Sequence, residues 1–161
     1  RSAEDLVCAA SRSPCCLIEV TGGEPLLQPA CVPLVASLLE ASAKPVLVET
    51  NGSRDRGMLP AEAIVVMDVK CPDSGECGSF DEANIERLQA RDEVKFVLSG
   101  RVDYEWARDF VGRHALTQRC AAVLFSPVRG ELNAGELGRW LVDDGLPVRL
   151  QVPLHKVAGM R

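Results

Sequence analysis

Short apolar runs separated by stretches of helical period restrict this chain more than any other feature of its sequence. Leu17-Ile18-Glu19-Val20, Val46-Leu47-Val48-Glu49, Ile64-Val65-Val66-Met67, Val94-Lys95-Phe96-Val97-Leu98, Ala121-Ala122-Val123-Leu124-Phe125 and Val148-Arg149-Leu150-Gln151 are β-branched and mostly apolar, the pattern of buried strands. Cys31 to Ala43, with Leu34, Val35, Leu38 and Leu39, then Phe80 to Ala90, Asp103 to His114 and Asn133 to Asp143 read as helices. A strand followed by a helix, again and again, implies right-handed crossovers and a parallel sheet, so the expected class is α/β. Ser2 to Ser11 reads as the tail of one more helix, which starts the chain inside this alternation.

At 161 residues the chain is long enough to bury a core without disulfides, and no linker, repeat or low-complexity run divides it, so one domain over residues 1–161 is expected. Eighteen basic against 23 acidic residues leave a net charge of −5, the wrong sign for capturing a phosphate backbone, which disfavours nucleic acid as a partner. Apolar runs such as Ala61 to Met67 are far shorter than the roughly 20 residues that span a bilayer. The start, Arg1-Ser2-Ala3-Glu4-Asp5, has neither the pattern of a signal peptide nor an initiator Met. Seven irregularly spaced cysteines, with no C-x2-C pair among them, suit a reducing compartment, and a cytoplasmic location is expected. Cys15 and Cys16 lie in an apolar stretch and read as small buried hydrophobes.

Glycine and proline gather directly after the strands, in Thr21-Gly22-Gly23-Glu24-Pro25, Thr50-Asn51-Gly52-Ser53, Lys70-Cys71-Pro72-Asp73-Ser74-Gly75, Ser99-Gly100 and Ser126-Pro127-Val128-Arg129-Gly130. Loops beyond the carboxyl ends of parallel strands form the binding face of α/β proteins, so these five describe one composite site. Gly22 and Gly23 let a ligand approach bare backbone, and Glu24 offers a carboxylate suited to an ammonium group; the plainer reading is a tight turn with a solvated Glu24. Asp68 and Lys70 stand two residues apart on an extended backbone and point the same way, as a site pair or as a surface ion pair. Lys70 stands beside Cys71 and could depress its thiol pKa, although no candidate base is near in sequence. His155 reads as a substrate contact or as a structural histidine, and His114 as a surface residue at a helix end. Tyr104, Trp106 and Phe110 have the spacing of a core face.

Taken in order, Val20-Thr21-Gly22-Gly23-Glu24-Pro25-Leu26-Leu27-Gln28, Glu49-Thr50-Asn51-Gly52-Ser53, Asp68-Val69-Lys70-Cys71-Pro72, Lys95-Phe96-Val97, Phe125 to Gly130, Arg149 to Gln151 and Leu154-His155-Lys156 resemble the 7-carboxy-7-deazaguanine synthases, radical S-adenosylmethionine enzymes of the queuosine pathway. The resemblance implies an abbreviated, open (β/α) barrel in a cytoplasmic homodimer. The reaction it implies converts 6-carboxy-5,6,7,8-tetrahydropterin to 7-carboxy-7-deazaguanine and ammonia, with a 4Fe-4S cluster, adenosylmethionine, magnesium and a reductant such as flavodoxin. By position, Gly22, Gly23 and Glu24 would hold the methionyl part of the cofactor. Asp68, Val69 and Lys70, with Ser126, Pro127, Val128 and Arg129, would line its other side, and Thr21 and His155 would contact the pterin. The family's cluster cysteines, spaced C-x3-C-x2-C, and the Thr that binds magnesium have no match here, so metal ligands are absent and the chain reads as a radical-SAM domain lacking its first strand and cluster loop. On its own it is expected to be inactive. A non-catalytic α/β domain binding a nucleotide or pterin is the alternative, and a thiol enzyme using Cys71 or Cys77 is a third reading.

Overall fold

The structure, a computed structural model, describes residues 2–154, 158 and 159. Strands β1 (Ile18–Val20), β2 (Val46–Thr50), β3 (Ile64–Val69), β4 (Glu93–Leu98), β5 (Ala122–Pro127) and β6 (Arg149–Leu150) coincide with the six apolar runs. All five neighbour pairs are parallel, and spatial order follows chain order from β1 to β6. The α/β class and the parallel sheet are therefore as expected. The sheet is open: among the described residues no hydrogen-bonded ladder joins β1 to β6.

Helices α1 (Ala3–Arg12), α2 (Cys31–Ala41), α3 (Ala83–Glu86), α4 (Arg101–Arg113), α5 (Leu116–Arg119) and α6 (Ala134–Asp143) fill the connections. The first starts at Ala3. Ser2 caps it, its hydroxyl accepting from Asp5 N at 3.1 Å while the Asp5 carboxylate accepts from Ser2 N at 3.0 Å, the reciprocal arrangement of a capping box. Cys15 and Cys16, expected to be buried, are both exposed, because they lie in the turn between α1 and β1, short of the sheet.

The helix expected over Phe80 to Ala90 shrinks to the single turn of α3. Continuation would need Gln89 N to reach back to Ile85 O. It is drawn instead to the Asp92 carboxylate at 2.9 Å, a local side-chain acceptor competing with the helix ladder. His114, expected at the surface, caps α4 half-buried, its ring tilted by 42° against that of Phe110 at 4.3 Å.

Side chains on alternate strand positions go to opposite faces, and the two faces differ completely here. One carries Val46, Val48, Val65, Met67, Val69, Val94, Phe96, Leu98, Val123 and Phe125, which merge with Val35 and Leu38 of α2, Tyr104, Ala107, Phe110 and Val111 of α4, Leu116 of α5 and Leu137 of α6 into one core. Phe96 sits at its centre, edge-on to Phe110 at 5.7 Å and to Phe125 at 5.4 Å, the geometry favoured by the ring quadrupoles. Tyr104 and Phe110 are buried and Trp106 packs on them, so the expected core face is real. The opposite face carries Glu19, Leu47, Glu49, Val66, Asp68, Lys95, Val97 and Ser126. Val66 and Leu124, although buried, lie outside the helix-side core.

Candidate active site

The glycine-rich turn after β1 has Gly22 at φ 109° and Gly23 at φ 51°, backbone that side chains with a Cβ rarely adopt. A Cβ at either position would meet nothing within 4 Å, so both peptides border open space. Glu24 follows and is 8% exposed. Its Oε1 accepts from Leu26 N at 3.0 Å, capping the 3-10 turn Pro25–Leu27, and from Thr50 Oγ1 at 2.8 Å. Its Oε2 accepts from Asn51 N at 2.7 Å. The solvated turn residue is thereby excluded: the carboxylate ties the loop after β1 to the loop after β2.

Within that second loop Thr50 Oγ1 accepts from Gly52 N at 3.2 Å and Asn51 Oδ1 from Ser53 N at 2.9 Å. Gly52 is left-handed at φ 70°, and a Cβ there would sit 2.6 Å from the Phe80 ring. Beneath the loop Asn84 Nδ2 donates to Gly52 O and Arg54 O, and Asn84 Oδ1 accepts from Arg56 N. Arg56 is 3% exposed and pairs with the wholly buried Asp92 through Nε at 3.1 Å. The Asp92 carboxylate also accepts from Val65 N and Gln89 N, so both of its oxygens are satisfied. None of Arg56, Asn84 and Asp92 stood out in the sequence, where each reads as an ordinary loop or turn residue.

At the end of β3, Lys70 Nζ donates to Asp68 Oδ2 at 2.8 Å, with the side chains 32% and 13% exposed. The pair is thus half-buried rather than a solvated surface bridge. Asp68 Oδ1 is buried and has no hydrogen-bond partner. The Val69 side chain lies in the helix-side core, which leaves only its backbone for the site. Cys71 is 1% exposed, and burial, followed by the Asp103 and Asp68 charges, pushes its thiol strongly upward despite Lys70. Lys70 does pull the thiol downward, as expected, but desolvation of the thiolate outweighs one cation.

Ser126 and Pro127 close β5, and Val128 N donates to Leu98 O at 2.8 Å as the chain turns into Arg129. These four residues line an open cleft of about 650 Å³ together with Glu19, Glu49, Lys95 and Gln151. Residues from β1 and β5 share this cleft although three strands separate them. Thr21, Gly22, Gly23, Glu24, Asp68, Val69 and Lys70 belong to the neighbouring strand-end loops and not to its wall. His155 lies outside the described residues. Glu19 and Lys95 were missed as site residues, yet the signal was there: each is a single charge inside an apolar strand run.

Lys95 Nζ donates to Glu49 Oε1 at 2.6 Å, and Glu19 of β1 lines the same cleft. Burial, then the Glu49 charge, raises the Glu19 carboxyl. Burial also works to raise Glu49, but the hydrogen bond and charge of Lys95, with the Lys70 charge, hold it below the usual carboxylate range. Among the described residues no three His, Cys, Asp or Glu side chains come close enough to hold a metal ion.

Fold and cleft together define a parallel α/β protein with an open cleft at the carboxyl ends of its strands, the position where open α/β sheets take their ligands. No protein-family model matches the chain. It is 43% identical over 153 residues to the 7-carboxy-7-deazaguanine synthase of Koribacter versatilis, covering 87% of this chain and 67% of the relative. The synthases of Chlorobaculum tepidum, at 35% over 89% of this chain, and Methanospirillum hungatei, at 36% over 88%, are similar along 65% and 58% of their own lengths. The chain belongs to the 7-carboxy-7-deazaguanine synthase family, and it spans about two thirds or less of the length of the curated relatives it matches.

Proposed function

We propose that the whole protein converts 6-carboxy-5,6,7,8-tetrahydropterin to 7-carboxy-7-deazaguanine and ammonia, a carbon–nitrogen lyase step of queuosine and 7-deazapurine biosynthesis. The observation that carries this reading is the 43% identity to a relative of that name over 87% of the chain. Adenosylmethionine, when bound, supplies the group that abstracts hydrogen from the substrate. This chain's residues suit its methionyl end: the Gly22 and Gly23 peptides border open space, and the orphaned Asp68 Oδ1 is an acceptor fit for an ammonium group. Ser126, Pro127, Val128 and Arg129 offer the wall for the rest of the cofactor, Thr21 and His155 the contacts to the pterin.

A 4Fe-4S cluster and magnesium do not fit the described residues, which bring no metal-ligand group together, so no step is routed through either. A cytoplasmic homodimer supplied by a reductant such as flavodoxin belongs to the same reading. Among the described residues no helix is long and apolar enough to cross a membrane.

The test is anaerobic incubation of the protein expressed from its whole coding region with the tetrahydropterin, adenosylmethionine and a chemical reductant, beside the 161-residue chain. Release of 7-carboxy-7-deazaguanine and 5′-deoxyadenosine from the first and neither from the second is expected. Cleavage of adenosylmethionine without any change in the pterin sinks the proposed substrate.

A further inference from the structure

The turn Thr50-Asn51-Gly52-Ser53 is closed by its own side chains, Thr50 Oγ1 accepting from Gly52 N and Asn51 Oδ1 from Ser53 N, and such local bonds suffice to make a turn. It is nevertheless gripped from a distant part of the chain. Asn84 of α3, wholly buried, donates through Nδ2 to Gly52 O at 2.9 Å and to Arg54 O at 2.8 Å, and its Oδ1 accepts from Arg56 N at 2.8 Å. Both amide hydrogens and one carbonyl lone pair are thus used on one loop. Asp81 N donates to the same Gly52 O at 3.0 Å, and the Phe80 ring leaves no room for a Cβ on Gly52, which would come within 2.6 Å of it. Local bonds give the turn its shape; these contacts fix where it stands.

That place is passed on to the loop after β1. Asn51 N and Thr50 Oγ1 donate to the Glu24 carboxylate at 2.7 and 2.8 Å, and Glu24 directly follows Gly22 and Gly23. The shortness of α3 belongs to the same arrangement: Asp92 takes Gln89 N, which ends α3 after one turn, and holds the guanidinium of Arg56, whose backbone N–H meets Asn84. We propose that Asn84 is a positioning residue for adenosylmethionine, fixing through Gly52, Asn51 and Glu24 the Gly22-Gly23 turn that receives the methionyl end. The inference rests on the cofactor proposed above. A loop already held in its bound form takes up ligand without further ordering. When only a fraction of molecules hold that form, the apparent dissociation constant rises by the inverse of that fraction, while the complex once formed is the same. The signature is a change in KM for the cofactor without one in kcat.

The experiment uses protein from the whole coding region, with the pterin saturating and adenosylmethionine varied, and follows 5′-deoxyadenosine. Asn84→Ala is expected to raise KM for adenosylmethionine about 10-fold, with kcat within about 2-fold of wild type. Asn84→Asp, equal in size, does the same, because a carboxylate oxygen then faces the Gly52 and Arg54 carbonyls. Should neither fold, Phe80→Leu, which keeps every one of these hydrogen bonds, carries the test with a rise of about 3-fold. Val111→Ala, a truncation in the core beneath α4, lowers stability and leaves both constants unchanged. Independently of turnover, hydrogen exchange at the Asn51 amide is about 10-fold faster in Asn84→Ala than in wild type and is slowed again by adenosylmethionine. An unchanged KM, a kcat that falls at constant KM, an equal rise of KM in Val111→Ala, or unaltered exchange at Asn51 overturns the inference and leaves the proposed reaction standing. Wild-type protein that cleaves adenosylmethionine but leaves the pterin intact overturns that reaction and not the role of Asn84; wild-type protein that binds no adenosylmethionine overturns both.

Discussion

Three donors converge on the Glu24 carboxylate, from Leu26 N, Thr50 Oγ1 and Asn51 N, so its charge shapes two loops before any ligand arrives. Glu24→Gln preserves size but replaces one acceptor by a donor. In one amide orientation the NH2 faces Asn51 N–H; in the other it faces Leu26 N–H. Either way one backbone donor loses its acceptor, a loss of about 1 to 3 kcal/mol. Urea unfolding of Glu24→Gln should show a lower midpoint at unchanged slope, and an unchanged midpoint would mean that these bonds contribute nothing net. Lost cofactor affinity in this variant is therefore to be compared with wild type under conditions where both are fully folded. At the same scale, Cys71 shows why neighbours in sequence mislead: Lys70 is adjacent along the chain, yet its side chain is spent on Asp68 at 2.8 Å while the thiol turns into the core.

Among the elements, the strands were the most legible, because a β-branched apolar run of that length has few other ways to be buried. The strand-end loops were legible as one face for the same reason, since parallel strands leave no choice of edge. What escaped was set by long-range polar bonds. The helix expected from Phe80 to Ala90 fails because Asp92 captures Gln89 N, and Asp92 is in turn positioned by Arg56, 36 residues earlier in the chain. No local periodicity reports such a partner. Likewise Glu19, Glu49 and Lys95 sit inside apolar runs, and only the register that places their strands in one sheet shows that they share a face. The buried Arg56 and Asp92 pair makes a sharp prediction for this connection. Asp92→Ala strands a buried guanidinium and should cost about 3 to 5 kcal/mol, whereas Arg56→Met with Asp92→Leu should cost less than Asp92→Ala alone, because no charge is left unpaired. Chemical unfolding of the three proteins decides it, and a double variant weaker than the single one would contradict the argument.

At the scale of the whole molecule, among the described residues the sheet has β1 and β6 at its edges and four strands between them, β2 to β5. Amides of β3, β4 and β5 should exchange with solvent most slowly and those of β1 and β6 fastest, since edge strands open without breaking the core. Hydrogen exchange resolved by residue tests this, and equal protection at β1 and β4 would show that the sheet opens only as a unit. The order of the strands has a bearing on how the protein is made. Ile18 pairs with Val46, Leu47 with Ile64 and Glu93 with Ala122, so every strand docks on one that left the ribosome before it, under about 30 positions away, and none waits for a distant partner. Such a chain can be laid down during synthesis in the direction of translation, each new strand and helix covering the apolar edge exposed by the last. The cleft is then among the latest parts to be completed, because its wall needs Ser126, Arg129 and Gln151 near the end of the chain.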